Sequence, residues 1–146
     1  MESTIVNHSI VDDATAHRLA IKCRGIKNVI FISHSKLDDA IAHRLATKLK
    51  QKGKKVWIDS EIKGGEIVPL SINKAMERCG LFILLWSQSA KSSIWVEREW
   101  AAAYNCKQII PCLLDETPLP ILLQNTCYID FRNFDKGVYE LLKALR

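Results

Sequence analysis

A tryptophan and a glutamate four residues apart are the side chains of this sequence best suited to chemistry. On an α-helix, positions i and i+4 lie one above the other, so Trp95 and Glu99 would share one face. They follow an apolar run, 81–85, that is typical of a buried strand. A carboxylate just beyond the carboxyl end of such a strand lies where open α/β sheets hold their ligands. Glu99 is therefore a candidate catalytic residue, and the alternative is a surface glutamate paired with a nearby lysine.

Neighbouring side chains on the same helix bear on that hypothesis. Trp95 either walls a pocket or packs beneath one, and the spacing does not choose between the two roles. Trp100 lies one step further round and is expected in the core. Glu97 lies about 200° from Glu99 around the helix, so it is expected to face away and to serve as an internal control.

The composition is that of one ordinary globular domain. The chain has 146 residues, enough to bury a core without disulfides or metal, with 48% hydrophobic and 25% charged residues. Its net charge of +5 and pI near 9.0 permit contact with phosphates. The densest lysine run, at 48–55, is interpreted as a solvated surface, because no aromatic platform for nucleic acid accompanies it.

Cysteine usage and the start of the chain predict a cytoplasmic protein. The five cysteines include no Cys-x-x-Cys pair, which favours a reducing compartment and argues against a disulfide framework or a metal site. Cys112 lies in an apolar run and is predicted to be a core residue. Residues 1–4 lack the basic and apolar character of a secretory signal, and no apolar run is long enough to span a membrane.

Short apolar runs alternate with amphipathic stretches along the chain. Strands are predicted at 28–33, 55–59, 81–86, 109–114 and 128–131, and helices at 35–52, about 69–79, 95–104 and 134–145. Ser35 and Asp38 are typical of a capping box that opens the first of these helices, and Gly53 would end it. Pro111 suggests an edge strand or a strand end. This order predicts a flavodoxin-like open parallel five-stranded sheet with helices on both faces.

A duplication lies at the N-terminus. Residues 8–22 recur as 34–48, and eleven of the fifteen aligned positions are identical. We assign the second copy to the fold because it directly precedes the second strand. The predicted organisation is thus an extra N-terminal segment, 1–27, that duplicates the first strand-helix unit, followed by one domain, 28–146.

Five stretches in order resemble the Toll/interleukin-1 receptor (TIR) domain family, prokaryotic type. They are the first strand and its loop (29–35 with Asp38), the second strand and loop (56–59, 64–65 and 71–72), the third strand (82–87), a Trp-x-x-x-Glu stretch (93–99), and a C-terminal part (110–120 and 128–131). The resemblance covers 28–146 and leaves out the duplicated segment.

The resemblance implies two functions. Enzymatic TIR domains are NAD+ glycohydrolases that cleave the nicotinamide–ribose bond, some also cyclising the product, and they carry a glutamate at the position of Glu99. Many prokaryotic members act in antiphage defence. Other members are non-catalytic modules that work by self-association, and this is the alternative here. A third hypothesis is a related Glu-dependent nucleoside-processing enzyme on a similar sheet. NAD+ would be a substrate, so no cofactor is expected; a partner effector or sensor protein is possible under either function.

The resemblance also implies substrate contacts from the loop after the first strand. Ser33, His34, Ser35 and Lys36 would lie near nicotinamide, ribose or phosphate, together with Trp95. Lys36 could supply positive charge, Ser35 either a hydroxyl or a helix cap, and His34 is expected to be a satisfied loop histidine. Asp59 either fixes the following loop or binds a ligand, and Gly64 and Gly65 would let that loop move.

Overall fold

The computed structural model describes residues 29–58, 79–104 and 108–145. The duplicated segment 1–27, Asp59, the loop with Gly64 and Gly65, and the body of the helix predicted at 69–79 lie outside these residues. Those predictions, and the proposed division of the chain at 27/28, stay predictions.

Five parallel strands form one sheet. They are β1 (Val29–Ser33), β2 (Lys55–Ile58), β3 (Cys79–Trp86), β4 (Gln108–Leu113) and β5 (Ile129–Asp130). The spatial order is β2-β1-β3-β4-β5, and every neighbouring pair runs parallel. This is the predicted flavodoxin-like sheet, with strand bounds within two residues of those expected.

Four α-helices are present in the described ranges. They are α1 (Asp39–Gln51), α2 (Gln88–Lys91), α3 (Ile94–Ala103) and α4 (Phe134–Ala144). The core of one sheet face is covered by α1 and α4, and that of the other face by α2 and α3. The prediction of helices on both faces is confirmed.

Alternation along β1 decides which side chains meet which helices. Ile30 and Ile32 pack in the core beneath α1 and α4, whereas Phe31 points to the face covered by α2 and α3. Successive strand residues face opposite sides, so Ser33 lies on the same face as Phe31. The last residue of β1 is thereby directed toward the helix that carries Glu99.

Three local predictions were wrong. Cys79 begins β3 and does not end a helix, and residues 87–93, whose polar sequence predicts a loop between the third strand and the next helix, contain the short helix α2. Pro111 is not on an edge strand, since β4 lies between β3 and β5. It is tolerated there because β5 is only two residues long and pairs with Cys112 and Leu113, beyond the proline.

The prediction for the start of α1 was wrong, and the prediction for its end is confirmed. A 3₁₀ turn, Lys36–Asp38, precedes the helix, and the Ser35 side chain makes no capping bond to the backbone. The capping-box prediction is therefore wrong, because the Ser35 hydroxyl is engaged with other side chains. Gly53 follows the helix with a φ of 83°, and its N–H donates to the Lys50 carbonyl, so it acts as the expected stop.

Helix α4 packs so closely on the sheet that one position excludes a side chain. A Cβ added to Gly137 would lie 2.8 Å from the ring of Phe131, which is itself 2% exposed. A helical Gly→Ala change ordinarily gains about 1 kcal/mol from propensity. We expect Gly137→Ala instead to lower the free energy of unfolding by about 1–3 kcal/mol, because the buried ring must shift. Chemical denaturation measures this change.

The matched control is Lys143→Ala, at an exposed position on the same helix. It should change the unfolding free energy by no more than about 0.5 kcal/mol. A stabilised Gly137→Ala protein would show that α4 does not approach the sheet as closely as described.

Candidate functional site

The sheet has a switch point between β1 and β3. The chain leaves β1 for β2 on one side and returns to β3 on the other, so the strand order reverses between these two central strands. Open α/β sheets bind ligands at this point, beyond the carboxyl ends of the strands. Ser33 ends β1 and Ser87 follows β3 at that edge, and both are buried.

Glu99 is placed there by the buried face of α3. The helix begins after Ser93, whose hydroxyl accepts a hydrogen bond from the Val96 N–H at 3.1 Å. Its buried residues are Val96, Glu99, Trp100 and Ala103, which follow helical spacing. Glu99 is 2% exposed, so its carboxylate does not project into bulk water.

A hydrogen bond joins the Glu99 carboxylate to β1. The Ser33 hydroxyl donates to Oε1 of Glu99 at 2.6 Å, and Ser33 is fully buried. Burial of an ionised carboxylate is costly unless hydrogen bonds replace its water. The short distance is typical of a hydroxyl that donates to a charged oxygen. The bond spans 66 positions of sequence and fixes α3 to the central strand.

The other residues of α3 are arranged as the helical spacing predicts. Trp100 is 8% exposed and belongs to the core, and Trp95 is half-buried against the same core cluster. Glu97 is exposed and lines a cleft of about 300 Å³. That cleft is bordered by Trp86, Trp100 and the proline-containing segment 118–121. Glu97 and Glu99 thus occupy different environments on one helix.

His34 and Lys36 have contrasting positions. His34 is 5% exposed, and its Nε2 lies 2.8 Å from Oδ1 of Asp39. His34 was expected to have hydrogen-bond partners for its ring nitrogens. Only Nε2 has one, because the buried Nδ1 has no hydrogen-bond partner among the described residues. Lys36 is exposed. The structure does not bring its ammonium group into contact with Glu99.

A second polar cluster lies at the same edge and centres on Asp38. Its Oδ2 is within 2.6 Å of the Ser87 hydroxyl, 3.0 Å of Ser35 and 3.1 Å of Ser89. The Ser89 hydroxyl also contacts those of Ser35 and Ser87, at 2.7 and 2.9 Å. The cluster joins the loop after β1 to the loop after β3. It also explains why Ser35 does not cap the helix backbone.

The sequence indicated Glu99 and Ser33 as candidate site residues, but it did not indicate that the two are hydrogen-bonded to each other or that Asp38 accepts from three serines. The substrate contact that the resemblance implies for Ser33 stays a prediction, and the sequence patterns do not indicate Ser87 or Ser89 as site residues. A usable signal for Ser33 was its parity with Phe31 on β1. That signal becomes informative only once α3 is known to cover the same face.

Burial of the Cys112 side chain restricts the chemistry available. The Cys112 thiol is fully buried, and desolvation raises its pKa well above the usual range, so it is a core residue, as predicted, and not a nucleophile.

Within residues 29–58, 79–104 and 108–145, no helix has both the length and the apolarity needed to cross a membrane.

These features define an open α/β sheet with a buried carboxylate at its switch point. A family model described as a TIR domain matches residues 30–142. The chain belongs to the TIR domain family. A comparison with curated proteins found no significant match.

Solved structures share this fold at low sequence identity. The TIR domain of the Toll-related receptor TRR-2 from Hydra magnipapillata has a TM-score of 0.71 and 20% identity, covering 80% of this chain and 97% of that one. The TIR domains of the activated Roq1 resistosome, which recognises the pathogen effector XopQ, have a TM-score of 0.63 and 17% identity, with 80% and 98% covered. The CMP N-glycosidase BcmB of Clostridium botulinum has a TM-score of 0.55 and 20% identity, with 81% and 99% covered.

Loss of the Asp38 carboxylate should destabilise the fold. Asp38→Ala removes the acceptor shared by three serine hydroxyls, two of them on buried residues. We expect the free energy of unfolding to fall by about 1–3 kcal/mol, because buried donors lose their partner. Chemical denaturation measures the change.

Asp135→Ala is the control, since that carboxylate is 85% exposed. It should shift the unfolding free energy by less than about 0.5 kcal/mol. Equal effects of the two substitutions would mean that the Asp38 cluster does not hold the two loops together.

Proposed function

We propose that this protein is an NAD+ glycohydrolase that cleaves the bond between nicotinamide and ribose. The observation that supports the proposal is the Glu99 carboxylate, which is buried at the sheet switch point and accepts a 2.6 Å hydrogen bond from Ser33. The chain's membership of the TIR domain family, some members of which cleave NAD+, points to the same reaction.

The reaction requires little more than a well-placed negative charge. Nicotinamide leaves its pyridinium linkage as a neutral molecule, so the leaving group needs no proton. Positive charge grows on the ribose as the bond breaks, and a fixed carboxylate stabilises that oxocarbenium-like transition state. The same carboxylate can orient the ribose hydroxyls by charge-assisted hydrogen bonds. Glu99 has this role in our proposal.

The fate of the ribosyl cation determines the product. Attack by water gives ADP-ribose and releases one proton. Attack by a nucleophilic atom of the same molecule gives a cyclic ADP-ribose isomer. Either outcome is compatible with one carboxylate, and chromatography against both standards separates them.

A nucleotide whose base is uncharged, such as CMP, is a more demanding substrate for one carboxylate. BcmB, which shares the fold, is described as a CMP N-glycosidase, so this architecture can support cleavage of an N-glycosidic bond. Cytosine is a poorer leaving group than nicotinamide unless it is protonated, which calls for a general acid. We therefore place NAD+ ahead of CMP as the substrate and use CMP as the comparison compound.

The wider role we propose is signalling in immunity, with antiphage defence as the specific setting in a prokaryotic cytoplasm. TIR domains commonly self-associate, and the Roq1 relative is part of an activated resistosome. We propose that this chain also self-associates. The non-catalytic interaction module remains the competing function, and it makes no use of a buried carboxylate at position 99.

Substitution of Glu99 tests the proposal. We expect the full chain, at high protein concentration, to release nicotinamide from NAD+. Glu99→Gln should reduce the rate by about 100-fold or more, because the charge that stabilises the transition state is lost while side-chain volume is kept. Chromatography of nicotinamide measures the rate, and denaturation shows that both proteins are folded.

Glu97→Gln is the matched control, with the same chemical change two positions away on α3 at an exposed site. It should keep the wild-type rate. A wild-type protein that self-associates but releases no nicotinamide at any concentration would favour the interaction module. Equal rates for the Glu97→Gln and Glu99→Gln proteins would overturn the assignment of the carboxylate.

A further inference from the structure

Ser33 is the residue in closest described contact with the proposed catalytic group. It ends β1, is fully buried, and donates its hydroxyl to Oε1 of Glu99 at 2.6 Å. A serine hydroxyl has one hydrogen to donate. While that hydrogen serves Glu99, Ser33 cannot donate it to a substrate hydroxyl or phosphate.

The backbone that presents Ser33 is among the best supported in the fold. β1 is paired on both sides, and Ser33 itself is in register with Leu84 of β3. Two positions earlier, the Phe31 ring stacks on Trp57 of β2 at 4.9 Å and on Phe82 of β3 at 5.2 Å. Ser33 is therefore held in a fixed position. The glutamate side chain has several rotatable bonds, and a hydrogen bond to a fixed group restricts its orientation.

We propose that Ser33 is a positioning residue that acts on the reaction through Glu99. It holds the carboxylate in one orientation and stabilises its ionised form in a buried site, where an ionised group without such a donor would be costly. This inference rests on the proposed function and replaces the substrate contact that the family resemblance suggested for Ser33. The two roles differ in the kinetic constant that they control.

Ser33→Ala should lower kcat by about 10-fold to 100-fold and leave KM for NAD+ within about twofold, because the carboxylate loses its orientation while substrate contacts are kept. Ser33→Thr keeps the hydroxyl and should recover most of kcat. Ser92→Ala, which removes an exposed hydroxyl, is the control and should behave as wild type.

A double-substitution cycle tests whether Ser33 acts through Glu99. In the Glu99→Gln background, Ser33→Ala should cause little further loss of kcat, because the group that it positions is already absent. The dissociation constant for NAD+, measured by calorimetry on the Glu99→Gln protein, should not change when Ser33→Ala is added. A raised KM with kcat unchanged, a weakened dissociation constant, or an equal kcat loss in both backgrounds would overturn the inference.

A wild-type protein without NAD+ cleavage would refute the proposed function but would still leave the Ser33–Glu99 pairing open to measurement. The readout is then the thermal midpoint of unfolding of the same four proteins. Ser33→Ala should lower the midpoint more when position 99 carries the native carboxylate than in the Glu99→Gln background, because a buried charge depends more on the donor than a neutral amide. Equal shifts in the two backgrounds would show that the hydroxyl does not support the carboxylate.

Discussion

Burial of the Glu99 carboxylate is the constraint around which the site is built. An ionised group that is removed from water loses its hydrogen bonds to water, and protein groups must replace them. Here the Ser33 hydroxyl replaces one of them, at 2.6 Å. Glu99 is 2% exposed, and a charge that is shielded from water acts more strongly on a nearby positive charge than one in bulk solvent. Burial of the Glu99 carboxylate thus lowers the stability of the fold. The same burial suits the carboxylate to stabilising a cationic transition state.

The sheet supplies the rigidity that this arrangement needs. β1 and β3 are central strands covered on both faces, and their carboxyl ends meet at the switch point. A row of stacked rings, from Trp57 through Phe31 to Phe82, crosses three strands just before Ser33. The Ser33–Glu99 pair lies beyond this layer, at the sheet edge where open α/β sheets generally bind ligands.

Two polar units of different character share that edge. Ser33 and Glu99 form a buried pair between a strand and a helix, with a separation of 66 residues. Asp38 and its three serines instead connect two loops and lie partly at the surface. The first unit supports the proposed chemistry, and the second fixes the loops that frame it.

The sequence alone was sufficient for the five strands, for three of the four α-helices in the described ranges, and for the opposite directions of Glu97 and Glu99. Apolar runs and helical spacing are local patterns, so they predict a buried strand at 28–33, which is observed at 29–33, and they place Glu99 on the opposite side of α3 from Glu97. The order of the strands also followed, because parallel strands joined by helices permit few arrangements. The prediction that Pro111 marks an edge strand was wrong, because the length of β5, and not the proline itself, decides which residues of β4 lack a neighbouring strand.

Only the tertiary structure decided which side chains meet. The partner of Glu99 depends on which helix covers which face of the sheet, and no spacing within α3 or β1 contains that information. The same holds for Ser35, whose hydroxyl is satisfied by Asp38 and Ser89 and not by the helix backbone that its sequence position suggests. Local patterns fix periodicity, whereas a hydrogen bond between distant residues exists only after packing has brought the two surfaces together.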